Sequence, residues 1–595
     1  MLEVESLLRI PRVDVDLRFD ISPDGTRIAY AWNGSGTWDI YEQSLTGKGP
    51  SKRITTGIGA KFSPRYSPDG KSVAFSLDPD GSESYHISRY DRRSNSQEDL
   101  TPGIGYAHQP NCSWSPDGKT VAVLSNEAGH FALSLLSIKS RDKKLLLDLH
   151  RPIWDVIWSP DGKWIAVEAE WTASNRSIFI LDPVSGKSNQ LSKTSGFLNA
   201  SQPAWSPDSK QFAFSGQRGD WLKIGIFGIE SRNVSWIESD PGDDIQPAWS
   251  NDGDGLAWIH SCGVDSSVRV QNGGREIRNF QLGKGCHHHP RFAARGLVMI
   301  YEAPDHPPDL YHLNVETGIG TPLTNSLPSD LDPSSFTLPR QVSYKGKDGT
   351  QVPAILLQPV NASNCSPAVI HIHGGPNWHH NFSWNPLLSH MASRGWTVLG
   401  PNYRGSTGYG MKWQNASRFD MGGVDTNDCA SGVDFLVDHN LADKERIAVT
   451  GESHGGFLAI SCMTTYPDLW VGGSAFVPFL NWFKSHYESR EDLQHWNLEN
   501  MGNPQENRER WFSRSPAFFL ERINAPVQLI CGENDPRCPA SDTIEAYDKL
   551  RRLGKSVDLH AFKNQGHGFL DQAVRVAAEQ RRVDFLANLF ESSHH

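Results

Sequence analysis

A single phrase returns seven times in the first half of this chain, and no other feature limits its fold so tightly. It reads ISPDGTRIAYAW from Ile21, YSPDGKSVAFS from Tyr66, WSPDGKTVAVLS from Trp114 and WSPDGKWIAVEA from Trp158. WSPDSKQFAFSG from Trp205, WSNDGDGLAWIH from Trp249 and a degenerate FAARGLVMIYEA from Phe292 continue it. The starts lie 45, 48, 44, 47, 44 and 43 positions apart. A period in the forties with β-type content predicts a propeller, one four-stranded blade per copy, and is too long for a flat β-solenoid. Within each copy Ser-Pro-Asp-Gly makes a turn: Pro presets φ, Asp bonds back to the backbone, and Gly takes positive φ. The alternating residues that follow read as a strand with one buried face. The Trp or Tyr ahead of the turn is expected to pack between blades. Seven copies predict seven blades.

The repeat stops before residues 325–339, NSLPSDLDPSSFTLP, whose Pro, Ser and Asp suit a linker. Beyond it, apolar runs at 367–373, 396–400, 446–450 and 526–531 alternate with helical stretches such as 425–439 and 541–553. Strands alternating with helices predict a mostly parallel sheet covered on both faces. The expected divisions are therefore a short N-terminal amphipathic helix over residues 1–14 packing on the second domain, a seven-bladed propeller over 15–325, a linker over 326–339 and an α/β domain over 340–593. Such a length, 595 residues, exceeds what one core can serve.

In the second domain, strand residues 446–450 run into Gly451-Glu452-Ser453-His454-Gly455-Gly456 and then into an apolar helix. Strand, G-x-S-x-G and helix together form a nucleophile elbow, which predicts an α/β-hydrolase with Ser453 at a helix N-terminus. In that fold the acid follows a later strand and the His comes last. Asp535 follows strand 526–531, with Glu533 the nearest rival carboxylate, and His567 lies between two glycines. His567 would move the Ser453 proton and Asp535 would hold the imidazole tautomer. The oxyanion hole is assigned to the backbone N–H of His454 and to the Gly374/Gly375 backbone in the loop His373-Gly374-Gly375-Pro376, with no chemical role for the His373 ring.

At this point the chain resembles the prolyl oligopeptidase family of serine peptidases, most of all its acylaminoacyl-peptidase and dipeptidyl-peptidase branch. The motifs are HGGP at 373, NYRGSTGYG at 402, DKERIAVTGESHGG at 443, SP at 515, GENDPRCP at 532 and GHGF at 566. Ser-His-Gly-Gly at the elbow, where many members read Ser-Tyr-Gly-Gly, is similar to acylaminoacyl-peptidases. The resemblance implies that the propeller covers the catalytic face. It implies that Arg537, two residues after Asp535, lies near the substrate carbonyl or acyl group; a surface salt bridge is the alternative for this residue. It also puts the aromatic stretch at 476–487, with Phe479, Trp482 and Phe483, at the substrate side-chain pocket; plain core packing is the alternative for these aromatics. Short peptides or small acyl substrates are the expected partners, and the expected activity is that of an acylaminoacyl-peptidase or related exopeptidase. A carboxylesterase or amidase with the same triad is the alternative, and a dead propeller scaffold is disfavoured by the intact triad set.

Composition narrows the remaining classes. Lys and Arg number 57 against 68 Asp and Glu, a formal charge of −11, which disfavours nucleic acid and anionic membrane. No run of 18 apolar residues suggests a membrane span. MLEVESLLRI lacks a basic start and an apolar core, so no signal peptide is expected. Eight Cys without a CxxC pair suit free thiols and a cytoplasmic setting, and the nine N-x-S sequons, Asn33 and Asn415 among them, are read as chance. His594-His595 reads as a tag remnant. The consecutive Cys286-His287-His288-His289 alternate between strand faces and cannot converge on one ion. Neither metal nor cofactor is implied, and the oligomeric state, a homo-oligomer included, stays open.

Overall fold

In the computed structural model, the described residues are 2–592 apart from 48, 104, 173–174, 192–198, 275, 360–361 and 363–365. Strands β1–β28 form seven four-stranded antiparallel sheets, each built from four consecutive strands. Successive blades begin at Asp20, Ala60, His108, Ile153, Ala200, Asp243 and Cys286, and the last strand ends at Pro322. The seven blades match the seven copies of the repeat.

The turn chemistry explains why the blades recur. In six copies the turn Ser donates its hydroxyl to the turn Asp, for example Ser67 to Asp69 at 2.8 Å and Ser206 to Asp208 at 2.7 Å. Position four needs a left-handed backbone. Gly162 supplies it with φ +74, and in the fifth copy Ser209 adopts φ +60 while its Oγ accepts from the Asp161 amide of the preceding blade at 3.0 Å. The aromatic residue before the turn joins neighbouring blades, as expected: the indole N–H groups of Trp114, Trp205 and Trp249 donate to Arg65 O, Ile157 O and Ala204 O at 3.0–3.2 Å.

Because each blade uses consecutive strands, no shared strand closes the ring. Blades one and seven meet through Phe19, Ile28 and Tyr30 against Val298, Ile300 and Leu310. Val13 ties them further: it bridges to Trp32 and its amide donates to Pro308 O at 3.0 Å. The N-terminal helix is thus short, Val4–Leu8, and the residues after it belong to the propeller seam. Val4 itself packs in the catalytic domain with Leu387, Met391, Val583 and Phe590.

After the linker, β29 (Arg340–Lys345) opens an eight-stranded sheet. It continues with β30 (Gln351–Leu357), β31 (Ala368–Ile372), β32 (Thr397–Pro401), β33 (Ile447–Glu452), β34 (Gly472–Phe476), β35 (Val527–Gly532) and β36 (Val557–Phe562). The order is β29-β30-β32-β31-β33-β34-β35-β36; the first two pairings are antiparallel and the rest parallel. β31 and β33 are buried almost throughout, so they read as continuous apolar runs rather than alternating ones. The chain therefore is a seven-bladed propeller followed by an α/β-hydrolase domain. Among the described residues no helix is long and apolar enough to cross a membrane.

Candidate active site

Ser453 stands between β33 and the helix His454–Thr465 with φ 58° and ψ −122°, a conformation that L residues adopt only under constraint. The constraint is packing. A Cβ on Gly455 would lie 2.1 Å from Ile372 O, so only glycine lets the helix approach β31 this closely. The turn also donates the Ser453 amide to Phe476 O at 2.9 Å. The His454 amide heads the helix and has no partner within it. The His454 ring is spent in the core, 3.3 Å from buried Asp425 and tilted against Phe457 and Phe479.

His567 Nδ1 lies 2.8 Å from Asp535 Oδ2. The other Asp535 oxygen accepts from the amides of Arg537 and Cys538 at 2.8 and 2.9 Å, which aims the carboxylate at the ring. Burial alone would lower the His567 pKa, but Asp535 and then Cys538 outweigh it and hold the ring well above the ordinary 6.5. The hydrogen bond from Ser453 Oγ to His567 is not formed among the described residues; the buried Cys538 thiol lines the same cavity as Ser453, its Sγ within 4.8 Å of a His567 ring nitrogen. Such bonds often form only in the substrate complex. Glu533 plays no part in this contact.

A cavity of about 600 Å³ opens on Ser453 and is walled by both domains. Gly375, His454, Phe479, Trp482, Arg537 and Cys538 line it from the catalytic side. Gly374 lies behind: a Cβ there would be 3.0 Å from Glu452 O and 3.3 Å from Ser453 Cβ. His373 stacks on Tyr403 at 4.3 Å and bonds to Ser406 Oγ at 2.8 Å, so its ring braces the loop. Phe479 and Trp482 form an aromatic floor with centroids 4.7 Å apart. Phe483 is not brought to that wall. It sits on the next helical position and packs toward Trp511 and Phe518, as a core residue would.

Arg537 does face the cavity, with 49% of its side chain exposed there, but its Nε is held 2.8 Å from Glu83 Oε1 of blade two. Glu83 also pairs with Arg490, whose Nη2 lies 3.5 Å from its Oε2 and whose Nη1 donates to its backbone carbonyl. Burial opposes ionisation of Glu83, yet Arg537, Arg490 and His567 together hold its pKa below the usual range. The propeller wall adds Trp154, Glu170, Arg176 and Asp243. Two further cavities, of about 710 and 900 Å³, adjoin through Trp154, the larger lying in the propeller channel. Sequence reasoning missed Glu83, Glu170, Asp243 and Cys538. Cys538 lies inside the GENDPRCP motif, three residues after Asp535, a spacing that could have flagged it; the propeller acids carry no local signal.

The Cys286–His289 run makes separate bonds. His288 Nε2 meets Glu302 at 3.0 Å, His289 Nε2 meets Val15 O at 2.9 Å, and His287 accepts from the Leu282 amide at 3.2 Å.

Two sequence profiles match: the prolyl oligopeptidase family over residues 380–593, and the TolB beta propeller domain over residues 18–151 and 142–334. The chain belongs to the prolyl oligopeptidase family. It is a serine peptidase of that family acting on peptides. This peptidase is 24% identical over 663 residues to the uncharacterized peptidase YuxL of Bacillus subtilis, covering 96% of each chain. It is also 24% identical over 668 residues to dipeptidyl-peptidase 5 of Porphyromonas endodontalis, covering 96% of this chain and 92% of the other. The structure of a puromycin-hydrolyzing peptidase of Mycobacterium tuberculosis superposes with a TM-score of 0.83 at 19% identity, covering 99% and 96% of the two chains.

Proposed function

We propose that this peptidase removes short N-terminal fragments from peptides whose amino terminus is free. Ser453 Oγ attacks the scissile carbonyl while His567 takes its proton; the same proton then goes to the leaving amine, and water releases the acyl group by the reverse route. Asp535 holds the imidazole. The amides of His454 and Gly375 receive the oxyanion, and the Phe479–Trp482 floor takes an apolar side chain.

The observation that carries the choice of free amines is Glu170, at the end of β14 (Ile165–Glu170). It is 7% exposed and lines the cavity with Ser453; its Oε2 lies 3.9 Å from His495 Nε2 and accepts no hydrogen bond among the described residues. Burial, against the pull of Arg176, pushes its pKa up to about 7. Asp243 on the same wall is pushed to about 6 by burial. A buried carboxylate with no hydrogen-bond donor gains most from a cation, and an α-ammonium group is the cation every unblocked peptide carries. An acylated terminus would leave Glu170 Oε2 without a hydrogen-bond donor, and sites built to bond a polar group reject analogues that lack it. The name of the dipeptidyl-peptidase relative accords with this reading. Arg537 favours the acylaminoacyl alternative, because its guanidinium faces the same cavity and could take an acyl carbonyl.

One pair of substrates decides between them: a dipeptide anilide with a free amine and its N-acetyl counterpart. The free amine is expected to be turned over at least tenfold faster in kcat/KM, roughly one charge-assisted hydrogen bond. Equal or faster hydrolysis of the acetylated substrate overturns the reading.

A further inference from the structure

Cys538 is a thiol that the peptidase mechanism does not use, placed where it can stop that mechanism. It is 4% exposed and lines the cavity beside Ser453. Its Sγ, a ring nitrogen of His567 and a carboxylate oxygen of Asp535 all lie within 4.8 Å of one another, and among the described residues this is the group of His, Cys and acidic side chains so arranged. Nδ1 of His567 is already taken by Asp535 at 2.8 Å, so Nε2 is the nitrogen left to bind. A thiol and an imidazole nitrogen are the donors that thiophilic cations prefer, with bonds of about 2.3 Å to sulfur and about 2.0 Å to nitrogen. An imidazole whose other nitrogen is held by a carboxylate is the oriented form found in metal sites.

We propose that Cys538 and His567 form an inhibitory site for a thiophilic divalent cation such as Zn²⁺, Asp535 holding the ring from behind. On binding, the Cys538 thiol gives up its proton to solvent and the Nε2 lone pair is donated to the cation. Ser453 then has no base to receive its proton, and hydrolysis stops. The inhibition is reversible, because a chelator takes the cation away, the Cys538 thiolate regains its proton from solvent and the Nε2 lone pair is free again. The other described cysteines offer no such pairing: Cys112, Cys286, Cys429, Cys462 and Cys531 are buried elsewhere, and Cys262 is exposed on the propeller.

The test titrates Zn²⁺ against hydrolysis of a p-nitrophenyl ester by the full-length protein, each variant compared with its own zinc-free rate. An ester keeps the result independent of the amino-terminal preference proposed above. Wild type and Cys262→Ser should be inhibited alike and restored by EDTA, whereas Cys538→Val should need at least about tenfold more zinc. A second readout needs no turnover. In the Cys262→Ser background, Co²⁺ should produce a thiolate-to-cobalt absorption band, and prior phosphonylation of Ser453 should prevent it, so the result stands even if Cys538→Val fails to fold. Zinc that leaves the wild type active, zinc that inhibits Cys538→Val as strongly as wild type, or a cobalt band that survives phosphonylation each overturns the proposal.

Discussion

At Glu170 stability and binding pull in opposite directions. Its pKa is near 4.5 in an unfolded chain and is pushed to about 7 by burial in the folded one. Between these values the native state holds the extra proton, so stability falls as pH rises from 4.5 to 7 and the loss is complete above 7. The difference is worth at most about 3 kcal/mol. Glu170→Gln should therefore unfold at a higher temperature than wild type at pH 8 and at nearly the same temperature at pH 4.5, while losing activity on unblocked peptides. Thermal unfolding at the two pH values checks this. A variant less stable than wild type at pH 8 would mean that the carboxylate has a structural partner. The residue scale is also where reading the chain alone had mixed success. Ser453, Asp535 and His567 were legible because the elbow and the two loops are local motifs. Phe483 was misplaced among the cavity residues because one helical step turns a side chain by roughly 100°.

At the scale of elements, one contact between the domains joins two loops at the active site. The blade-two loop over residues 78–83 reaches the catalytic loops: Asn534 Nδ2 donates to Asp80 O at 3.3 Å, Arg537 pairs with Glu83, and Gly81 abuts Gly566. A Cβ on Gly566 would lie 1.5 Å from Gly81 O and 2.5 Å from the Gly81 carbonyl carbon, both backbone atoms that cannot swing aside. Gly566→Ala must displace one loop, and His567 is its immediate neighbour. A shift of about 1 Å at a catalytic group costs on the order of a hundredfold in rate. Gly568→Ala, on the other side of His567, meets only Leu570 Cδ2 at 3.6 Å and should keep a near wild-type rate. Comparing kcat for the two variants isolates the interdomain contact. Equal rates would show that the blade-two loop does not set the His567 position.

For the whole molecule, the placement of the cavity predicts what can be cleaved. Ser453 faces a space of about 600 Å³ walled by propeller strands as well as by the hydrolase, a volume suited to small ligands. An extended peptide can thread into such a space and a folded protein cannot. One scissile sequence, offered as a peptide of about ten residues and again in an exposed loop of a stable protein, should be cut in the first form only. Comparable rates would mean that the propeller does not enclose the site in solution.

The sequence by itself determined the parts built from neighbours along the chain. Ser-Pro-Asp-Gly makes a turn whatever surrounds it, the segment after it alternates with the pleat, and a blade period repeated seven times leaves a ring as the way to bury every blade face. The elbow likewise follows from glycines that let one strand and one helix meet. Tertiary structure decided what those parts face. Glu170 and Asp243 sit in strands like any others of the repeat, and their significance arises because the α/β domain caps the end of the ring toward which they point. Glu83 lies more than 450 positions from Arg537 and meets it only because the His567 loop closes on blade two. Cys538 lies three residues after Asp535 in sequence, but the packing of β33 and β35 in one sheet is what brings its loop to the reacting serine. Periodicity and turn chemistry act over a few residues and are written in the chain, whereas the charge and reach of the site depend on contacts between segments hundreds of residues apart, which no local pattern encodes.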